Sequence, residues 1–171
     1  MILELVDKND PILYNKTEDI DFENPQIDPE QLFNDLKETL IHNGGVGLAA
    51  NQVGIPYSCF VMGDTKDPDG ILGIFNPQIV SSSDETNYMN EGCLTFPGLF
   101  LKIKRPEEIR FRAANFEGEV DSNTFRGLSA RIFQHEKDHL DGVVFTKRVN
   151  VYYLEKAKKQ RARNYKSEHL R

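Results

Sequence analysis

His135, Glu136 and His139 are the residues whose types and spacing best fit a chemical task, within Gln134-His135-Glu136-Lys137-Asp138-His139-Leu140-Asp141-Gly142. On a helix, two imidazoles four residues apart sit one turn apart on the same face. Both can hold one metal ion there, and a carboxylate between them can reach a metal-bound water without being a ligand. This is the arrangement of metal-dependent hydrolases, although His-Glu-x-x-His also arises by chance. At about 100° per residue, Leu128, Ile132, His135, Glu136 and His139 share one side of a helix predicted from about Leu128 to Leu140. Lys137 falls nearly opposite, with Ala130 and Asp141 beside it. The polar groups thus interrupt an apolar stripe, and buried His and Glu side chains need partners, of which a metal is the most economical. Gly142 suits the end of the helix, where a left-handed residue is cheapest as glycine.

Two earlier stretches have matching chemistry. In Gly45-Val46-Gly47-Leu48-Ala49-Ala50-Asn51-Gln52, two Gly and two Ala leave the backbone bare, so another element or a ligand can lie against it. The third glycine of a dinucleotide fingerprint is absent and the segment follows a helix, which argues against a phosphate cradle. Gln52 offers a side-chain amide at the end of the strip. The second stretch is Glu91-Gly92-Cys93-Leu94-Thr95-Phe96-Pro97-Gly98. A lone cysteine there reads as structural until it is set beside a two-His helix in want of a third ligand. Thiolate plus two imidazoles leaves one position open for water, the layout of a catalytic site.

The elements that must position these groups follow from pattern. Residues 1–27 read as a lead-in and surface loop. Asp28 caps a helix with Pro29 at its first position and Gln31 placed for a capping box; Leu32, Phe33, Leu36, Leu40 and Ile41 form its apolar face, and Asn43-Gly44 ends it. Strands are predicted over Tyr57 to Met62, with Cys59 as a core thiol, and over Ile71 to Phe75, ending at Asn76-Pro77. More follow at Leu99–Ile103, at Ile109–Ala113 with Arg110 and Arg112 outward, and near Glu119–Phe125 after a Glu117-Gly118 turn. Val143–Val149 reads as extended and Tyr153–Arg163 as a terminal helix.

A chain of 171 residues with 39% hydrophobic and 28% charged residues has the composition of a globular domain with its own core. Its start lacks the basic and apolar regions of a signal peptide, and no run approaches a membrane span. Two cysteines make no disulfide framework and suit a reducing cytosol. The net charge of −6 is uneven: residues 147–171 hold nine Lys/Arg against two Glu, so that tail is +7 and the rest −13. A basic tail can meet an anionic partner, although a solvated terminal helix explains it as well.

In order, the three stretches resemble the peptide deformylases. That family carries Gly-φ-Gly-φ-Ala-Ala-x-Gln, Glu-Gly-Cys-φ-Ser and Gln-His-Glu-φ-Asp-His-φ-x-Gly (φ apolar), read here at Gly45–Gln52, Glu91–Thr95 and Gln134–Gly142. Two positions depart. Thr95 replaces Ser and keeps a hydroxyl; Lys137 replaces an apolar residue, so either the back of the helix reaches solvent or Lys137 is paired with a carboxylate. The resemblance implies an α+β fold, antiparallel β-sheets surrounding a central helix that carries the His-Glu-x-x-His motif. It implies one catalytic domain over 1–171, with the basic tail from about 147. Cys93, His135 and His139 would hold one divalent metal, ferrous iron by family habit, with zinc, nickel or cobalt as alternatives; the ligand set alone suggests zinc.

Glu136 is then expected as general base and later general acid, acting on the metal-bound water. Gln52 through its side chain and Leu94 through its backbone N–H are expected to bind the developing oxyanion. The implied reaction removes the formyl group from N-formylmethionyl ends of new polypeptides, in the cytoplasm, and releases formate. Gly45, Val46 and Gly47 with Leu128 and Ile132 are expected around the formyl-methionine, Leu128 and Ile132 serving equally well as packing. Cellular members can dock their C-terminal helix on the ribosome, which makes ribosomal RNA an expected partner of the +7 tail. No membrane or DNA partner is expected. Rival readings are a zinc endopeptidase taking Glu155 as third ligand, and a non-catalytic formyl-peptide or structural metal module.

Overall fold

The fold comes from a computed structural model, which describes residues 1–169. Arg171, the last charge of the predicted basic tail, lies outside them. The chain runs α1 (Pro29–Asn43), β1 (Gly47–Ala49), β2 (Cys59–Met62), β3 (Leu72–Ser82), β4 (Thr86–Cys93), β5 (Phe96–Pro106), β6 (Glu108–Ala114), β7 (Val120–Arg126), α2 (Gly127–Leu140) and α3 (Val151–His169). Five strands form an antiparallel sheet in the order β1-β2-β3-β6-β7, and β4 and β5 form a separate antiparallel ribbon. The architecture is α+β.

Strand alternation decides what each face of the sheet carries. On β2, Cys59 and Val61 join Leu32, Leu36 and Leu40 of α1 in one core, while Phe60 and Met62 join Ala130, Phe133 and Leu140 of α2 in another. Ile109, Phe111 and Ala113 turn inward from β6 as their alternation requires, and Phe133 meets Phe60 edge-on at 5.1 Å. A third core lies under the ribbon, where Leu99, Leu101 and Ile103 pack with Leu13, Val144 and Phe145, flanked by Leu154 and Ala157 of α3. α2 therefore lies between the sheet and the ribbon.

Several local expectations give way to long-range packing. The lead-in is partly core: Leu13 and Ile20 are buried, and Thr17 donates from its backbone N–H and its hydroxyl to Leu140 O at 2.8 and 3.1 Å. Asp28 caps α1 through Gln31 N at 3.1 Å, but Gln31 Nε2 turns to Asp35 instead of closing a capping box, and Ile41 is exposed. β3 continues past Asn76-Pro77 because register shifts and a left-handed Asn76 absorb the proline, as a bulge does. β4 follows no apolar alternation and draws its order from β5. Val143–Val149 holds a 3-10 turn, Phe145–Arg148, that buries Phe145, rather than a strand.

Candidate active site

Helix and ribbon meet at Cys93, His135 and His139. The two histidines project from successive turns of α2, and a bulge between Glu91 and Cys93 at the ribbon's end sets the thiol against them. Each residue offers one ligand atom within 4.8 Å of the other two. Cys93 Sγ is 3.3 Å from His139 Nε2. Among the described residues no other three His, Cys, Asp or Glu side chains gather this way. Glu155, required by the endopeptidase reading, is exposed on α3 beside Lys158 and lies outside the cluster.

His135 Nδ1 rests on Glu91 Oε1 at 2.8 Å, which leaves Nε2 to face the cluster. Glu91 in turn accepts from Arg105 at 2.7 and 2.9 Å and from Arg131 at 2.8 Å. Arg105 also donates to Asp138 Oδ2 at 2.8 Å, and Asp138 takes Arg148 at 2.9 and 2.5 Å. Burial would raise the Glu91 carboxyl, yet its hydrogen bonds from His135, Arg105 and Arg131 hold it down at about 2. His135 is pushed up to about 10: burial acts to lower it, and the Cys93 and Glu91 hydrogen bonds with the Glu136 charge prevail. Burial and the neighbouring His135 charge push His139 well down. A divalent cation held by the same atoms favours neutral imidazoles and a thiolate. One soft donor, two imidazoles and a carboxylate orienting one ring fit such an ion.

Glu136 comes from the same turn as His135 but enters the cleft. Burial drives its carboxyl up to about 7, and Oε2 is buried without a hydrogen-bond partner. Gly47 on β1 explains how the carboxylate fits. A Cβ there would stand 2.8 Å from Glu136 Cδ and closer still to Oε1, so only glycine lets strand and carboxylate approach. Gln52 accepts from Ala49 N through Oε1 at 2.9 Å, which turns Nε2 toward Thr95 Oγ1 at 3.0 Å and Cys93 Sγ at 3.5 Å. The hydroxyl kept at Thr95 is therefore the acceptor that steadies the Gln52 amide.

These groups line one cleft of about 690 Å³, shared by Gly45, Val46, Gly47, Gln52, Cys93, Leu94, Leu128, Ile132, His135 and Glu136. The five residues expected around the formyl-methionine thus share one cleft with Cys93 and His135. Leu128 is 63% exposed at the mouth of the cleft and is not core packing. Ala130, expected on the outer side of α2, is fully buried, because the sheet covers that side. Lys137 follows the second of its two expectations: Nζ sits between both Asp141 oxygens at 2.6 Å, beside a polar cavity of about 510 Å³.

Motif spacing does not reveal Glu91 as the partner of His135, the Arg105–Asp138 and Arg131 bonds, or Phe100, which is 65% exposed at the cleft mouth. One signal was present: Arg105 has the parity of Leu99, Leu101 and Ile103 on β5, so alternation alone turns it inward.

A family model described as polypeptide deformylase matches residues 2–154. A peptide deformylase of Thermotoga neapolitana is 44% identical over 112 residues, 66% of this chain and 66% of that protein. One of Desulforudis audaxviator is 37% identical over 156 residues, 91% of this chain and 98% of that protein. The crystal structure of a Synechococcus elongatus peptide deformylase in complex with actinonin superposes with a TM-score of 0.83 at 32% identity, covering 94% of this chain and 86% of that one. With Cys93, His135 and His139 gathered where the end of the ribbon meets α2, and with this match along most of its length, the chain belongs to the polypeptide deformylase family.

Proposed function

We propose that the chain removes the formyl group from N-formylmethionyl peptides and releases formate, with Cys93, His135 and His139 holding a divalent ion, ferrous iron in the cell. The observation that carries this reading is the convergence of those three side chains on one another, with Cys93, His135, Glu136 and Gln52 lining one cleft. When bound, the ion supplies Lewis acidity to the formamide carbonyl and to water. Glu136, its free Oε2 buried beside the ligands, takes a proton from the attacking water and returns it to the leaving amine. The C–N bond breaks and a free N-terminus leaves. Gln52 Nε2 and the Leu94 N–H donate to the oxygen that becomes anionic, and the Ala49 and Thr95 bonds orient Gln52 before substrate arrives. Gly45, Val46 and Gly47 leave room for a formyl hydrogen, while Val46, Leu128 and Ile132 offer apolar surface to the methionine.

The whole chain acts as one catalytic unit in the cytoplasm, and α3 presents its basic residues to ribosomal RNA. Leu154 and Ala157 hold α3 to the ribbon core, while Lys158, Lys159, Arg163 and Lys166 stay outside the core. Metal analysis of Cys93→Ala and Glu155→Ala tests the ligand assignment against the endopeptidase alternative. Cys93→Ala should lose the ion and formate release, with Glu155→Ala keeping both; the reverse pattern would reject the deformylase reading.

A further inference from the structure

Beside the second imidazole, two buried polar atoms have no partner: Oδ1 of Asn51 and Nδ1 of His139. Asn51 is fully buried in the 3-10 turn Ala50–Val53, and its Nδ2 donates to the backbone oxygen of His139 at 2.6 Å. That bond fixes the amide orientation, because a flip would set Oδ1 against the carbonyl. An acceptor is thereby left buried next to the residue whose ring lacks a partner. His139 Nε2 faces Cys93 Sγ. With Nε2 bound to an ion, the ring proton sits on Nδ1 and needs an acceptor. His135 has one in Glu91. His139 has no carboxylate in that place.

We propose that Asn51 is the positioning residue of His139. Its Nδ2 anchors the backbone of His139, and its Oδ1 takes the Nδ1 hydrogen bond, directly or through one water, so that Nε2 stays aimed at the metal. Asn51 acts through His139 and touches no substrate. Residue 51 is the unspecified position of the first motif, where the pattern assigns no role. The proposal rests on the ligand reading above but not on the deformylation reaction.

Thr17 supplies the control. It clamps the same helix end one residue further on, at Leu140 O, and is not among the residues that offer a ligand atom. The experiment measures Co(II) affinity by chelator competition, and the cobalt absorption bands, on the full chain and its Asn51→Leu, Asn51→Val and Thr17→Val variants. Circular dichroism checks folding. Asn51→Leu, similar in size, should bind cobalt about 10- to 100-fold more weakly, the range for losing such a partner, with shifted bands. Asn51→Val, smaller and equally without an amide, should show the same weakening, and Thr17→Val should leave affinity and bands unchanged. Wild-type affinity and bands in Asn51→Leu, or an equal loss in Thr17→Val, would overturn the proposal. Should Asn51→Leu not fold, wild-type affinity and bands in Asn51→Val overturn it instead. Formate release by the wild type is read in the same preparation. Cobalt binding without release would remove the deformylase reading and leave the Asn51 result standing.

Discussion

Gly47 is where a single residue decides whether the carboxylate can stand in the cleft. Its backbone lies so close to Glu136 that any Cβ must displace the carboxylate. Misplacing a reacting group by about 1 Å can cost about 10²-fold. Gly47→Ala should therefore lower formate release by about that factor and barely move the thermal midpoint; more than half of wild-type activity would contradict this. The residues legible in sequence were those tied by local spacing. His135 and His139 announce themselves by their four-residue separation, and Glu136 by lying between them. Cys93 and Gln52 needed the motifs as well. Glu91, 44 residues from His135, is bound to it by folding alone, so no spacing rule could pair them.

At the scale of elements, α2 owes its place to two opposed surfaces, the sheet and the ribbon. The charged side chains beneath His135 are worth little as isolated attractions, since burying ions costs about what their pairing returns. Breaking them is another matter. Glu91→Gln would leave Arg105 and Arg131 short of a counter-charge in the interior and should cost about 3–5 kcal/mol, measured by denaturant unfolding; a loss below about 1 kcal/mol would show that the network relaxes. Lys137, by contrast, makes only a part-exposed pair with Asp141. Lys137→Leu should change stability by less than about 1 kcal/mol and leave formate release at wild-type level. A large loss of activity would mean that this departure from the family pattern has a catalytic role. Strands with clean alternation, such as β6, were readable. β4 and the bulged end of β3 were not, because pairing with β5 and β6 supplies the order that their own side chains lack.

For the whole molecule, charge separates the catalytic body from the terminal helix. The tail holds nine Lys/Arg against two Glu, on a chain whose net charge is −6. Reversing Lys158, Lys159, Arg163 and Lys166 to Glu should abolish salt-sensitive co-sedimentation with ribosomes and leave release from a short peptide unchanged. Co-sedimentation that survives the reversal, or ignores salt, would remove α3 from that role. Fold class was legible because three motifs fixed the family pattern, whereas the packing of α3 on the ribbon depends on Leu154 and Ala157 meeting a core assembled from distant strands. The central claim is tested most directly by formate release from formyl-Met-Ala-Ser, using oxygen-protected protein and Glu136→Ala side by side, with metal content measured in both. The account predicts release by the wild type and a loss of about 10²- to 10⁴-fold in the variant, with the metal retained. Metal-loaded wild type that releases no formate, or a Glu136→Ala variant that works as well as it does, would contradict the account.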